Sequence, residues 1–282
     1  MAESRHRRNF QDRVISGTRA LYYSLYEPVR LKRERKLHAP EYDASCRKPL
    51  ISVYVPTYNR AQLLMERAVA SVLKQTYSNF EFIIIGDHCT DDTEKFVKSV
   101  NDSRIRFYNI PKRGYRYPPT PENHWFAGPV IAANTALEMV KGKWIARIDD
   151  DDIWTDDHLE VLLDFALKGN YEFVSSSYRT IRHGKEIIVD EKDSIPRIGG
   201  TQTWLYRSYL KFFRYNIDCW RKSWNRVNDT DIQDRMYKAG VKMGFCEKVT
   251  CHIIPRPGED TVGLEAYRAT AEEKMQHFKF AD

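Results

Sequence analysis

Short apolar runs that alternate with amphipathic stretches most constrain the fold of the first half of this chain. Runs rich in β-branched and aromatic residues, which predict buried strands, occupy positions 50–55, 80–85, 105–108 and 143–148. Helical patterns separate these runs, at 62–75, around Phe96 and at 131–140. Because alternating strands and helices form a parallel sheet covered on both faces, the sequence predicts an α/β fold with a single, mostly parallel central sheet.

The second half, after residue 153, has a more mixed pattern. It predicts helices at 157–167, 207–213, 230–239 and 264–280, and strands at 173–181, 243–245 and 249–254. A chain of 282 residues is long enough for one large α/β domain. We therefore expect one domain from 49 to 282, preceded by an extension over residues 1–48.

The extension holds all the excess positive charge of the chain. It contains 12 Lys and Arg against 6 Asp and Glu, a difference of +6, which equals the net charge of the whole protein. Its sequence predicts a helix from Asn9 to about Leu37, with an apolar stripe formed by Val14, Thr18, Leu21, Leu25 and Val29. Pro28 is expected to kink or split this helix. Residues 43–49 are expected to form a linker to the domain.

The partner of this helix stays open at the level of sequence. The helix can pack its apolar stripe on the domain and leave a charged face in water. It can instead lie on an anionic membrane surface, so that residues 9–37 form a peripheral membrane contact. A third interpretation is that it forms oligomer contacts.

Several protein classes are disfavoured by the sequence. Its longest apolar stretch falls far short of the roughly 20 residues that a membrane helix needs, and its polar first residues predict no secretion signal. Basic and acidic residues balance outside the extension, which disfavours nucleic acid as a partner. The five cysteines form no CxxC pair, so we expect a cytoplasmic protein, at most at the inner face of a membrane. No GxGxxG motif follows a strand, which argues against a dinucleotide oxidoreductase.

Four consecutive carboxylates follow the predicted strand 143–148, namely Asp149, Asp150, Asp151 and Asp152. In an open α/β sheet, ligands bind beyond the carboxyl ends of the strands. Side chains two residues apart in an extended segment point the same way, so Asp149 and Asp151 can reach one site together. Carboxylate oxygens suit Mg²⁺ or Mn²⁺, which is often shared with substrate phosphates. The run therefore predicts a divalent cation site, although a solvated acidic turn would leave the same pattern.

Polar blocks after three of the predicted strands carry a resemblance to a known family. They lie at 56–60, 86–93 and 148–154, and they resemble the three signature blocks of glycosyltransferase family 2 in order and spacing. The resemblance implies the GT-A fold, in which a nucleotide-binding half, here 49–153, is continuous with an acceptor-binding half, here 154–282. It also implies a divalent cation, Mn²⁺ or Mg²⁺, as the cofactor.

Residue roles follow from the resemblance block by block. The implied donor-binding residues are Pro56, Thr57, Tyr58, Arg60, Asp87, Asn134, Asp149 and Asp150. Asp87 matches an aspartate that hydrogen-bonds the nucleotide base. Because Gly86, His88 and Cys89 depart from the family's more common Asp-Asp-Gly-Ser run, the base preference stays open, with a UDP-sugar expected first and a GDP-sugar second. Asp151 matches the metal ligand of the family's DxD motif, and His252 is either a further metal ligand or a structural histidine.

A fourth block, at residues 228–240, is similar to the family block that supplies the catalytic base. Registering it on Gly240 places Asp229 at the base position, with Asn228 in place of the usual Glu. Asp231, two residues further on, is the rival candidate. Both carboxylates could also simply stabilise the first turn of a helix.

The implied activity is transfer of a sugar from a nucleotide-sugar donor to an acceptor hydroxyl, with inversion at the anomeric carbon. The expected acceptor is a glycan or lipid-linked molecule, such as a lipopolysaccharide-like or other surface polysaccharide precursor. Two alternatives stay open, because one fold can host several functions. They are a retaining transferase of the same fold and a non-catalytic relative that binds nucleotide sugars.

Overall fold

A computed structural model describes residues 9–42, 48–114, 116–221 and 227–269 of the chain. Its strands are β1 (Ile51–Thr57), β2 (Phe80–Gly86), β3 (Ile105–Asn109), β4 (Trp144–Arg147), β5 (Asp152–Trp154), β6 (Phe173–Arg182), β7 (Lys185–Val189), β8 (Leu205–Arg207) and β9 (Met243–Ile253). Its α-helices are α1 (Phe10–His38), α2 (Ala61–Leu64), α3 (Ala70–Leu73), α4 (Thr93–Ser99), α5 (Pro121–Ala127), α6 (Val130–Met139), α7 (His158–Lys168), α8 (Asn228–Ala239) and α9 (Leu264–Ala269). A π-helical turn, Met65–Val69, joins α2 to α3, and short 3₁₀ segments lie at Ala39–Tyr42, Thr201–Thr203, Ser208–Phe212 and Ile217–Arg221.

The described strands form one sheet in the order β3-β2-β1-β4-β8-β6-β9-β5, with β7 paired to β6. Strands β1 to β4 are parallel to one another, as the alternation of strands and helices predicts. β8 runs antiparallel to β4, whereas β6 and β9 are again parallel. β5 pairs with β9 in the second half of the sheet. The acidic run therefore lies where the chain leaves β4 and crosses to β5.

The core covers both faces of the sheet in its first half. Every residue of β1 and β2 is buried, as expected for central parallel strands. Helix α6 packs on β1 and β2, and α7 packs on β6 and β9. Because these strands are held on both sides, the polar blocks at their carboxyl ends have well-defined positions. The predicted α/β fold with a central sheet and an N-terminal helix is confirmed.

Two predicted elements take a different form. The predicted helix at 207–213 is instead β8 followed by a 3₁₀ turn, because Leu205 and Tyr206 pair with the edge of β4. The predicted strands at 243–245 and 249–254 form a single strand, β9, whose register against β6 shifts near Ser176 and Ser177. Most of the predicted linker at 43–49 lies outside the described residues, as do residues 270–280 of the predicted closing helix.

Helix α1 is attached to the domain by its polar side. Asp12 and Glu27 are buried, and they form ion pairs with Arg221 and Arg235 of the second half. Leu31 is the fully buried apolar contact of this helix among the residues that the structure describes. Charged groups that are buried must face a partner of opposite charge. These pairs therefore decide which side of α1 meets the domain.

The apolar stripe of α1 consequently faces away from the domain. Leu21, Leu25 and Val29 are 61%, 66% and 69% exposed, so the interpretation in which this stripe packs on the domain is wrong. Pro28 does not split the helix, which runs unbroken for 29 residues. None of the helices within the described ranges combines the length and the apolar character needed to cross a bilayer.

Candidate active site

A cavity of about 820 Å³ lies at the carboxyl ends of β1, β2 and β4. Both halves of the domain contribute to its wall, because the start of α8 and the segment after β9 line it together with the strand-end loops. The sequence-predicted residues in the wall are Pro56, Thr57, Tyr58, Arg60, Asp87, Asp149, Asp150, Asp151 and Asp229. The structure thus brings the three strand-end blocks and the fourth block to one place.

Asp150 connects the acidic run to the loop after β1. Its Oδ2 accepts a hydrogen bond of 2.8 Å from Thr57 Oγ1, and its Oδ1 lies 2.8 Å from Arg60 Nη1. The residue is only 4% exposed. Both of its oxygens are therefore occupied by the protein, and the contact fixes the distance between the first and third blocks.

At the end of β2, Asp87 is held between two arginines. Arg113 donates from Nε over 3.1 Å, and Arg116 donates from both Nη atoms over 2.6 Å each. The guanidinium of Arg113 also lies 3.8 Å from the centre of the Tyr58 ring. His88 follows with a φ of 62°, a backbone conformation that glycine adopts more readily. The position implied for the nucleotide base therefore combines an aromatic ring with a compensated carboxylate.

Asp149 and Asp151 are each paired with an arginine. Asp149 Oδ1 accepts hydrogen bonds of 3.1 Å and 2.9 Å from the buried Arg147. Asp151 Oδ2 accepts one of 2.7 Å from Arg256 Nε and lies 3.6 Å from Arg60 Nη1. Burial acts to raise the pKa of Asp151, but the guanidinium groups of Arg256 and Arg60 outweigh it and hold that pKa below its ordinary value. Asp151 is thus a carboxylate that stays ionised inside the cavity.

The carboxylates of this cavity fit a cation that is shared with a substrate. Within the described residues, no group of three or more His, Cys, Asp and Glu side chains could hold a metal ion by itself. Mg²⁺ in particular is commonly bound by one or two carboxylates, with substrate phosphates and water completing its coordination. Asp151, with Asp149 two residues before it, offers such a partial set of ligands.

Asp229 also lines the cavity, in the first turn of α8. Its Oδ1 accepts a hydrogen bond of 2.7 Å from the backbone N–H of Thr230. Burial raises the pKa of Asp229, and the negative charge of Asp149 adds to this, while Arg147 acts in the opposite direction. A carboxylate with a raised pKa is a better proton acceptor than an ordinary aspartate, so the position suits a general base.

Three predicted site residues are not brought to the cavity wall. Asp231 is 1% exposed and pairs with Arg235 Nε at 2.9 Å. Asn134 bonds through both ends of its amide to the backbone of Tyr215, at 2.9 Å and 3.0 Å. His252 lies on β9 opposite Ile153 and is absent from the residues that line the cavity. Of the two base candidates, Asp229 therefore lines the cavity and Asp231 does not, and Asn134 and His252 are likewise outside its lining.

Several residues of the cavity were missed or left undecided by sequence reasoning. His124 and Trp125, on α5, line the wall, and His124 Nδ1 lies 3.0 Å from Tyr117 Oη. Burial lowers the pKa of His124 well below its ordinary value, and nearby arginines including Arg113 add to the shift, so this histidine is neutral. Arg256 gives no sequence signal, because it lies in an irregular segment far from the acidic run. The basic stretch around Arg113 was the available hint for the arginines beside Asp87.

Two glycosyltransferases of solved structure have a similar fold. The mannosyltransferase PcManGT from Pyrobaculum calidifontis, in complex with GDP-Man and Mn²⁺, gives a TM-score of 0.57 at 18% identity and covers 94% of this chain and 74% of its own. TarS 1–349 of S. aureus, in complex with UDP-GlcNAc, gives 0.58 at 17% identity and covers 81% and 69%. At these identities the likeness concerns the fold alone, and it confirms the predicted GT-A fold.

A curated relative is the Escherichia coli UDP-Glc:alpha-D-GlcNAc-diphosphoundecaprenol beta-1,3-glucosyltransferase, which is 34% identical over 134 residues. The match covers 48% of this chain and 47% of that protein, so it spans about half the length of each. Residues 52–227, well over half of the chain, match the family described as Glycosyl transferase family 2. This chain therefore belongs to glycosyltransferase family 2.

Proposed function

We propose that this protein is a metal-dependent glycosyltransferase that moves a sugar from a nucleotide-sugar donor to an acceptor hydroxyl with inversion. The observation that carries the proposal is the meeting of Asp149, Asp151 and Asp229 in the wall of one cavity. The carboxylate run suits a cation and a diphosphate, and Asp229, contributed by α8, suits a proton acceptor. Family membership makes sugar transfer the reaction class that uses both.

The donor is proposed to bind along the part of the cavity that is lined by the loops after β1, β2 and β4. The family resemblance assigns Tyr58 and Asp87 to the base and Asp149 and Asp151 to the ribose and diphosphate, and the proposal is supported by the presence of all four in the cavity wall. A UDP-sugar is the first choice, because the curated relative is named for UDP-Glc and one structural neighbour holds UDP-GlcNAc. A GDP-sugar is the second choice, since the other neighbour holds GDP-Man.

The proposed reaction is a single displacement at the anomeric carbon. The acceptor oxygen forms a bond to that carbon as the bond to the donor diphosphate breaks, and the hydroxyl proton passes to Asp229. The raised pKa of Asp229 favours this proton transfer, because burial makes the ionised form costly. The cavity holds donor and acceptor in one orientation, which removes part of the entropic barrier. Mn²⁺ or Mg²⁺ bound at Asp151 would neutralise the charge that develops on the leaving nucleoside diphosphate.

The acceptor is proposed to be a lipid-linked or other precursor of a surface polysaccharide. The curated relative is named for an acceptor that carries a diphosphoundecaprenol group. An enzyme for such an acceptor works at the membrane surface, and we place this protein in the cytoplasm, at the inner face of the membrane. Nucleic acid is not an expected partner, since the excess positive charge is confined to the extension.

Residues 9–37 are proposed to make this membrane contact through the outer face of α1. The apolar part of that face holds Leu21, Leu25 and Val29, each more than half exposed. Lys32 and Lys36 continue it, and both are exposed. Each basic side chain near an anionic leaflet contributes about 1 kcal/mol to binding. An apolar stripe that ends in basic residues matches a helix lying in the interface of an anionic bilayer.

Cosedimentation with vesicles tests the membrane contact. Leu25→Glu should weaken binding to phosphatidylglycerol vesicles, and binding of the unaltered protein should decrease as salt rises. Ile188→Glu is the matched control, because Ile188 is an apolar residue of a different element, β7, with a similar exposure of 59%. If the unaltered protein does not bind these vesicles, or if both variants bind as it does, the proposal is wrong. If Leu25→Glu instead dissociates a dimer, the face is an oligomer contact.

Donor binding tests the proposed activity. UDP, GDP and their sugars, each with Mn²⁺, should be screened for thermal stabilisation, since a ligand that binds the folded state raises stability. Asp151→Ala should abolish the cation-dependent part of this shift while the fold survives. Asp157→Ala is the control, because Asp157 pairs with Lys248 outside the cavity wall. The anomeric configuration of the transfer product then separates an inverting enzyme from a retaining one, and the absence of transfer and of donor hydrolysis would indicate a non-catalytic relative.

A further inference from the structure

Arg256 lies inside the cavity in direct contact with the carboxylate that is proposed to bind the cation. It belongs to the irregular segment between β9 and α9, whose residues from Ile254 to Glu259 line the wall. Its Nε lies 2.7 Å from Asp151 Oδ2, and the two side chains are 19% and 18% exposed. This is the oxygen that also lies 3.6 Å from Arg60 Nη1. The guanidinium of Arg256 therefore occupies the oxygen of Asp151 that a metal ion would use.

The backbone that carries Arg256 is anchored independently of this contact. Arg67 Nη1 donates hydrogen bonds of 2.7 Å to the carbonyl oxygens of both Asp151 and Ile254. Its Nη2 donates one of 2.9 Å to the carbonyl oxygen of Pro255. The acidic run and the start of the segment are thus joined by a third arginine. Movement of the Arg256 side chain would have to break its ion pairs with Asp151 and with Glu259, whose Oε1 lies 3.8 Å from Arg256 Nη1, but these hydrogen bonds of Arg67 to the backbone would remain.

A divalent cation and the guanidinium of Arg256 compete for Asp151, because two positive groups on one carboxylate oxygen repel each other. A donor diphosphate next to the cation would offer Arg256 new acceptors, and a planar guanidinium binds phosphate oxygens in pairs. We propose that Arg256 is a positioning residue that leaves Asp151 for the diphosphate of the donor when the cation binds. This inference rests on the proposed function, and it makes cation and nucleotide binding mutually dependent.

The exchange predicts opposite effects of one substitution on two affinities. In Arg256→Gln, Mn²⁺ alone should bind several-fold more tightly than in the unaltered protein, because the competing charge is gone. The nucleotide, in the presence of Mn²⁺, should bind about tenfold more weakly, because its phosphate contact is lost. Arg182→Gln is the matched control, since Arg182 also lines the cavity, whereas the ion pairs of Asp151 within the described part of the chain are with Arg256 and Arg60. A residue with a merely structural role would not move the two affinities in opposite directions.

Titration calorimetry of Mn²⁺ alone, and then of UDP and GDP at saturating Mn²⁺, measures both affinities without any turnover. If Arg256→Gln matches the unaltered protein in both, or weakens both, the exchange is refuted. If the unaltered protein binds neither UDP nor GDP, the proposed function fails first, and the inference falls with it. Arg256→Lys provides a second variant if Arg256→Gln does not fold. Lysine keeps the positive charge but lacks the planar guanidinium that binds two phosphate oxygens. The Mn²⁺ affinity should therefore stay near that of the unaltered protein, while the nucleotide affinity falls.

Discussion

Replacing Asp229 by Asn tests the proposed base most directly. The substitution keeps the size of the side chain, and the amide oxygen can still accept the 2.7 Å hydrogen bond from the N–H of Thr230. What it removes is the proton acceptor in the cavity wall. General base catalysis contributes typically about 10²- to 10⁴-fold in rate, which corresponds to roughly 3 to 5 kcal/mol of activation free energy. Turnover should fall by that factor, while donor affinity should change little, because a base acts mainly in the transition state.

The same variant should not lose stability. The folded pKa of Asp229 is raised, so ionising this carboxyl at neutral pH disfavours the folded state relative to the unfolded chain. Asn carries no charge and avoids this penalty. The melting temperature at neutral pH should therefore stay equal or rise. The difference from the unaltered protein should vanish as the pH falls below the ordinary aspartate range, where both states of the unaltered protein are protonated.

Asp231→Asn is the matched control, with the opposite expected outcome. The side chains of Asp231 and its partner Arg235 are 1% and 8% exposed, and Arg235 also pairs with Glu27 of α1. Removing one partner of a buried pair costs about 3 to 5 kcal/mol, and the Asn oxygen that remains should keep the loss near the lower end. Stability should fall, and turnover per folded molecule should be retained.

Single-turnover transfer, donor binding by calorimetry and thermal unfolding measure these effects separately. If Asp231→Asn is inactive and Asp229→Asn is active, the alignment of the family block on Gly240 is wrong by two residues. Full activity in both variants would refute the inverting mechanism, because neither carboxylate would then serve as the base.

Three further predictions concern the same cavity. The value of kcat/KM should fall as the pH drops through the raised pKa of Asp229, so the acid limb of the pH profile should lie above the ordinary aspartate pKa of about 4. The Asp231→Asn variant should show the same acid limb. Asn134→Ala should lower the melting temperature and leave nucleotide affinity unchanged, because its amide holds the backbone of Tyr215; an affinity loss without destabilisation would show that Asn134 contacts the donor. His252→Ala should leave the Mn²⁺ dependence of nucleotide binding unchanged, as measured by calorimetry, because His252 does not line the cavity. A large loss of this Mn²⁺ dependence would show that His252 is a metal ligand.

The sequence was sufficient to predict the parallel half of the sheet and its ligand-binding edge. Short runs rich in β-branched and aromatic residues, such as 80–85, favour buried central strands, and every residue of β2 is indeed buried. Polar residues that directly follow such strands must lie at one edge, because parallel strands end on the same side. The positions of Thr57, Asp87 and Asp149 follow from these two local rules, and no long-range information is needed to group them.

The sequence did not decide between residues that share the same local pattern. Asp229 and Asp231 both lie in the first turn of α8, and only the fold shows that the first lines the cavity while the second is buried beside Arg235, which also pairs with Glu27 of α1. Antiparallel β8 was also missed, since a three-residue strand is defined by its neighbour β4 and not by its own composition. The cavity position of Asp229 and the pairing of β8 depend on neighbouring elements that composition and periodicity do not reveal.

The orientation of α1 and the surroundings of Asp151 depended entirely on tertiary structure. Periodicity predicts that α1 has an apolar stripe, but the ion pair between Asp12 and Arg221, 209 residues apart, turns this stripe outward. In the same way, Arg256 reaches Asp151 across 105 residues of chain. Local patterns determine which helices and strands form, because they arise from contacts within one element. Charge pairs between distant elements determine which faces meet, and therefore which carboxylates remain available for a ligand.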